Sequence, residues 1–336
     1  MTQQKQPSVK TSVTELKYKG TGPRIILKNE YEQPSGSFKL RGIGHLIQVS
    51  IDKAKSLGKD KVEVFSSSGG NAGLAAAYAA KYYHVQCTVV LPIISKPVII
   101  EKLESIGAKV IVHGKHWGEA DHYLRTVVIG ELDESIYPVY AHPFDDPLIW
   151  EGHGNFIDEI IKENQLSKED LLKVKGIVCS VGGGGLYNGV IEGLERNDIL
   201  KDVPVLAIET NQTPTFKVSI DAGSIVHLKE INTLATSLGS PYISSKSVEN
   251  YHKHKTYLAL VDDVEAAEAV VDFYDSTGII VEPACGAALS VAYKRSDLLD
   301  KFGDLSSEDI VIVVACGGSS TNESTLNEFR TLTKTS

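Results

Sequence analysis

The sequence predicts an α/β protein with two parallel sheets, and three observations predict it. Apolar runs of strand length near Val62, Thr88 and Val110 alternate with helix-like stretches near Ala75, Ile99 and Tyr123. That alternation builds a parallel sheet, because a parallel neighbour is reached only by a crossover. A second set of runs passes through Val139, Ile177, Val205, Leu258 and Ile312. Finally, the chain has 336 residues, 42% of them hydrophobic, enough for two domains with their own cores. Long Pro/Ser/Gly linkers, low-complexity tracts and repeats are absent from the sequence.

In chain order, Met1 to Lys10 carries neither the apolar core of a signal peptide nor an Arg-rich amphipathic pattern; the first arginine is Arg24. Next comes Gln33-Pro34-Ser35-Gly36-Ser37-Phe38-Lys39-Leu40-Arg41-Gly42, which sets one lysine in a turn directly after an aromatic residue. An ε-amine becomes a nucleophile, or holds a carbonyl cofactor as a Schiff base, where a cleft favours its neutral form. Taken alone, the segment also reads as a surface lysine after a loop.

Phe65-Ser66-Ser67-Ser68-Gly69-Gly70-Asn71-Ala72-Gly73 lies between the apolar run Val62 to Phe65 and an alanine-rich stretch reaching Tyr83. Strand, polar turn and helix follow one another, and such a turn aims backbone N–H groups at one point, suiting a carboxylate or phosphate. Ile177-Val178-Cys179-Ser180-Val181-Gly182-Gly183-Gly184-Gly185-Leu186 repeats the pattern with four consecutive glycines before a helix that begins near Leu186. It lacks the Lys-Ser/Thr pair of a P-loop and the spacing of a dinucleotide fingerprint, and it fits a phosphate cup for a compact cofactor. Val311-Ile312-Val313-Val314-Ala315-Cys316-Gly317-Gly318-Ser319-Ser320 delivers a thiol at the C-terminal end of a central strand, where open α/β sheets place ligands.

Composition narrows the function classes. A net charge of −9 and the lack of a basic run interleaved with aromatics argue against a nucleic-acid surface. No apolar stretch approaches membrane-spanning length, so a soluble, cytoplasmic protein is expected. Cys87, Cys179, Cys285 and Cys316 are widely separated, three of them in or beside apolar runs, which is a reduced, intracellular pattern. His113 with His116, and His252 with His254, lack partner ligands in the sequence and read as surface residues.

These four segments, in this order, resemble the fold type II pyridoxal-phosphate enzymes, with their tryptophan-synthase-β-like architecture, and within them the L-serine/L-threonine dehydratases. His142-Pro143-Phe144-Asp145-Asp146-Pro147, Ile149-Trp150-Glu151-Gly152-His153 and Glu282-Pro283-Ala284-Cys285-Gly286-Ala287-Ala288 add to the likeness, which spans about Ser12 to the helix after Ser320. The resemblance implies that Lys39 holds pyridoxal 5'-phosphate and later moves the Cα proton. It implies Phe38 against one face of the ring and Ser237 on the other, with Asn71 at the phenolic oxygen. Gly182, Gly183, Gly184, Gly185 and Leu186 would hold the phosphate, and Cys316 would face the pyridine nitrogen. Ser68, Gly69 and Asn71 would bind the substrate carboxylate, with Phe144 in the pocket wall. A monovalent cation, K+, would take oxygens from Gly182, Glu209, Thr213, Leu238 and Ser240; Glu209 alone also reads as a strand-end carboxylate bonded to backbone.

The implied reaction is β-elimination, turning L-serine into pyruvate and L-threonine into 2-oxobutyrate with release of ammonia, in amino-acid catabolism and gluconeogenesis. The resemblance also implies a homodimer, and a large domain of residues 1–47 and 142–336 around a small one of residues 48–141. Gly69 separates subfamilies: serine racemases carry a serine hydroxyl there to serve the opposite face of Cα, and many mammalian dehydratases carry alanine. The alternatives are a serine racemase or another β-eliminating enzyme of the same fold, and a catalytically silent amino-acid sensor. Little sequence follows Cys316 before Ser336, whereas biosynthetic threonine dehydratases of the family carry a regulatory region there, so no isoleucine feedback is expected.

Overall fold

A computed structural model describes residues 6–16 and 22–335. The start of the leader segment, before Gln6, lies outside the described residues. The chain forms two compact units: one joins the segment ending at Val9 to Gln33–Gly152, the other joins Lys10–Glu32 to His153–Ser336.

Strands are labelled in chain order: β1 (Val13–Leu16), β2 (Arg24–Asn29), β3 (Lys61–Ser66), β4 (Gln86–Leu91), β5 (Lys109–Val112), β6 (Ile136–Tyr140), β7 (Val174–Ser180), β8 (Val205–Thr210), β9 (Thr256–Val261) and β10 (Ile310–Ala315). The first unit holds a four-stranded sheet of order β5-β4-β3-β6, parallel throughout. From β3 the chain steps outward through β4 and β5, then returns to place β6 on the other side of β3. The reversal makes the C-terminal ends of β3 and β6 a topological switch point, where loops diverge and leave a crevice. Helix Lys39–Ser56 packs on the alanine-rich helix Asn71–Tyr82, and Leu40, Ile43 and Ile47 are fully buried in the shared core. Small alanine side chains at 75, 76, 79 and 80 let that helix sit close to its neighbours.

The second unit holds a six-stranded sheet of order β1-β2-β10-β7-β8-β9. All six residues of β8 and of β10 are buried, as in strands covered on both faces, and both read as continuous apolar runs or nearly so. The topology repeats: β7 leads outward to β8 and β9, then β10 returns to the other side of β7. The second switch point therefore lies at the ends of β7 and β10. The expected parallel pattern holds in both sheets except at the edge, where β1 pairs antiparallel with β2. Val13–Leu16 is short and mostly outside the core, a strand no buried run announces.

Candidate active site

Each motif singled out in the sequence lies at or beside one of the two switch points. In the first unit, Lys39 opens helix Lys39–Ser56, and its Nζ donates to the carbonyl oxygen of Pro143 in the turn after β6. The same Nζ lies 5.1 Å from the centre of the Phe38 ring. The hydroxyls of Ser35 and Ser37, on the turn leading to the lysine, are buried without a hydrogen-bond partner among the described residues. Buried hydroxyls of that kind are costly unless a ligand or water satisfies them.

The Ser66–Gly70 loop follows β3. Ser68 Oγ accepts from the Gly70 N–H at 3.2 Å, and Gly70 caps helix Asn71–Tyr82 with no side-chain acceptor. The loop folds back over the helix start because position 73 has no side chain: a Cβ there would sit 1.7 Å from the Ser68 carbonyl oxygen. At Gly69 a Cβ would meet Leu91 Cδ2 and Ile99 Cγ2 at 3.2 Å, tighter than ordinary contact, so a larger residue needs both neighbours to give way. Asn71 is largely buried at the first turn of its helix. Across the switch point, Phe144 is buried edge-on to His142 at 4.6 Å, and Trp150 Nε1 donates to the Phe144 carbonyl at 2.7 Å.

In the second unit the four glycines follow β7. Gly184 takes φ +93°, and no side chain caps helix Gly185–Glu195, leaving its first turn to whatever occupies the cup. A Cβ at Gly184 would fall 2.0 Å from Ser247 Oγ, and one at Gly182 would fall 2.9 Å from Leu238 Cα. The cup is thus walled by the turn around Leu238 and by helix Ser245–Lys253, and only glycine fits it. Leu186 is buried in the first turn of the helix. Ser237, on the turn Thr236–Leu238, is exposed.

Cys316 follows β10, with its sulfur 3.7 Å from Ser180 Oγ at the end of β7. Its hydrogen bond with Cys285, together with burial, pushes its thiol well above the usual range, so it stays neutral. Glu282, 2% exposed, accepts from Ser320 Oγ at 2.8 Å. Glu282 lies in a segment that carries the family likeness, but its burial beside the thiol loop has no local signal in the sequence. All four cysteines are buried and free.

The expected cation ligands also converge. Glu209 is 1% exposed; Oε1 accepts from Phe216 N at 2.7 Å and Oε2 from Lys217 N at 2.8 Å. Thr213 Oγ1 reaches the Leu238 carbonyl at 3.4 Å, and Ser240 N donates to that carbonyl at 2.7 Å. Burial raises the Glu209 carboxyl to about 7 against the pull of those backbone donors. An oxygen-only set with one carboxylate suits a hard cation. Among the described residues no group of three His, Cys, Asp or Glu is placed to hold a metal. His113, His116 and His252 are exposed, whereas His254 is half-buried with Nε2 2.9 Å from the Val203 carbonyl oxygen.

The first half offers an amine beside a flat aromatic ring and orphaned hydroxyls, and the second an anion cup beside a neutral thiol. Taken separately, the amine suits a carbonyl group and the cup suits a phosphate. The family model described as pyridoxal-phosphate dependent enzyme matches residues 6–317. A catabolic L-serine/threonine dehydratase of Saccharomyces cerevisiae is 45% identical over 307 residues, covering 91% of this chain and 85% of that protein. An L-serine dehydratase/L-threonine deaminase of Mus musculus is 39% identical over 303 residues, covering 89% and 86%. The crystal structure of a fungal L-serine ammonia-lyase from Rhizomucor miehei superposes with a TM-score of 0.84 at 33% identity, covering 97% of this chain and 99% of that one.

Proposed function

From the premise that the chain belongs to the pyridoxal-phosphate dependent enzyme family, we propose that it is an L-serine/L-threonine ammonia-lyase. It converts L-serine to pyruvate and L-threonine to 2-oxobutyrate, each with ammonia. The observation that carries the reading is the lysine: Lys39 stands beside the Phe38 ring, in a chain that is 45% identical to a dehydratase over nine-tenths of its length.

When bound, pyridoxal phosphate supplies an electron-withdrawing ring that acidifies the Cα–H of the attached amino acid. Lys39 would hold that group covalently and, once the incoming amino acid has released it, its Nζ would take the Cα proton, with the Pro143 carbonyl as a hydrogen-bond acceptor that orients the amine. Ser68, Gly69 and Asn71 seat the substrate carboxylate, and Phe144 closes the pocket beside the side chain. Phe38 and Ser237 would face the ring, as the family resemblance implies. Gly182 to Gly185 and Leu186 form the phosphate seat. Cys316, a thiol held neutral, would face the ring nitrogen without giving up a proton to it, which would limit the ring's electron withdrawal and suit elimination of the β-hydroxyl. The elimination removes the Cα proton and the hydroxyl as water; hydrolysis of the resulting enamine then gives the oxo acid and ammonia.

Gly69 supports elimination over racemisation, since it carries no proton donor and its Cβ position is crowded by Leu91 and Ile99. We further propose K+ at Gly182, Glu209, Thr213, Leu238 and Ser240, a homodimer, and a cytoplasmic location. No described helix is long and apolar enough to cross a membrane. A coupled assay of the purified protein for pyruvate from L-serine and 2-oxobutyrate from L-threonine tests the function. D-serine accumulating as fast as pyruvate, seen by chiral chromatography, would replace it with a racemase.

A further inference from the structure

Behind the Ser66–Gly70 loop, helix Trp117–Tyr123 carries Asp121, a carboxylate 5% exposed. Ser67 Oγ donates to its Oδ1 at 2.8 Å, and the Tyr140 hydroxyl donates to the same oxygen. Arg125 Nε donates to Oδ2 at 2.8 Å, and Trp117 Nε1 donates to Ser67 Oγ at 3.2 Å. Tyr140 ends β6, and two residues on, the His142 ring stands edge-on to it at 5.8 Å and to Phe144 at 4.6 Å. His142 Nδ1 accepts from the N–H groups of Phe144 at 3.2 Å and Asp145 at 2.8 Å. Burial lowers this imidazole to about 4, so it stays neutral and keeps Nδ1 as an acceptor.

We propose that Asp121 is a positioning residue for the substrate. Its Oδ1 ties the loop after β3 to the last residue of β6, from which the turn to Phe144 leaves, fixing Ser68 and Gly69 on one side against Phe144 on the other. The inference rests on the reading of that loop as the carboxylate seat. Two hydroxyls share one acceptor, and both lose it together if the carboxylate is removed; the two lie within reach of each other and can then pair, but one of them is still left to move or to admit water. Arg125, 55% exposed, adds an ion pair screened by solvent. Oδ1 as an acceptor, rather than the charge, is therefore what the seat needs.

Steady-state assays of the holoenzyme with L-serine test this. Asp121→Ala should raise KM by about tenfold, with kcat within about threefold and cofactor absorbance retained. Asp121→Asn keeps Oδ1 and releases Arg125 to solvent, so its KM should stay within about threefold of the parent. Should Asp121→Ala fail to fold, the double variant Ser67→Ala/Tyr140→Phe removes both donors and should give the same rise in KM. An unchanged KM in these variants overturns the proposal, as does a joint fall of kcat and cofactor retention, which would mark a merely structural role. Ser68→Ala is the control. If it raises KM while the Asp121 variants do not, the positioning role alone falls; if it too leaves KM unchanged, the carboxylate seat falls and the proposal with it.

Discussion

Replacing Gly184 by alanine should loosen the phosphate cup, and the size of the effect can be worked from its surroundings. The residue takes φ +93°, where an L side chain costs about 1–2 kcal/mol. The new Cβ would lie 2.0 Å from Ser247 Oγ and 3.0 Å from Ile243 Cδ1. Ser247 must swing its hydroxyl away, losing its 3.0 Å bond to Asn188 Oδ1, worth about 1 kcal/mol. Residual crowding against Ile243 adds about 1 kcal/mol. The sum is about 3–4 kcal/mol. Hydrogen exchange in the apoprotein should therefore show protection of helix Gly185–Glu195 falling by up to about a thousandfold. Cofactor affinity should fall at least about tenfold as the cup shifts. With Ser247→Ala already in place the hydroxyl contribution vanishes, while Asn188 Oδ1 still accepts from Asn250 Nδ2 at 3.1 Å. The alanine should then cost about 1 kcal/mol less. A Gly184→Ala protein with parental exchange and parental cofactor affinity, or a cost identical in both backgrounds, would refute the reasoning.

Lys39→Ala should abolish covalent retention of the cofactor and lower kcat by at least about a thousandfold, while borohydride reduction of the parent followed by peptide mapping should label Lys39 and no other lysine. Glu209 has its carboxyl raised from 4.5 to about 7, so the stability it contributes is whole below about 4.5 and lost as pH rises through about 7. Between pH 6 and 8 in a bulky organic cation, the apoprotein should lose about 1.3 kcal/mol that Glu209→Gln does not lose, and potassium should flatten the parental slope. A parental slope matching that of the variant rules out this role. Gly69→Ser should raise KM for L-serine without making D-serine a major product, and Ile99→Ala, which removes the crowding Cγ2, should partly restore it; chiral chromatography and steady-state kinetics read both.

The half-sites were legible because glycine-rich turns after apolar runs are local features. Gly73 and Gly184 are needed for backbone reasons that sequence displays as glycine. β8 and β10 were legible because strands buried on both faces show as apolar runs. β1 was not, since Val13–Leu16 is short and its pairing with β2 depends on register rather than pattern. Asp121 was invisible for another reason. Four residues before Arg125 on a helix, it reads as a surface ion pair, and only the return of β6 beside β3 brings Tyr140 and Ser67 to it. The neutrality of Cys316 likewise depends on Cys285, thirty-one positions earlier in the chain, which no spacing rule connects.

The chain has two tryptophans, Trp117 and Trp150, and both belong to the unit containing Gln33–Gly152. One indole N–H reaches Ser67 and the other the Phe144 carbonyl, so each fluorophore is wired to a different wall of the proposed substrate seat. The molecule is thereby optically partitioned. Red-edge-excited emission comes from one unit alone, while the six-stranded unit is dark to it and visible only through tyrosine and the amide bands. Unfolding followed by the two signals would show directly whether the units melt as one. In stopped flow, single-tryptophan variants would time the loop after β3 and the turn after β6 separately during substrate binding, with no extrinsic label.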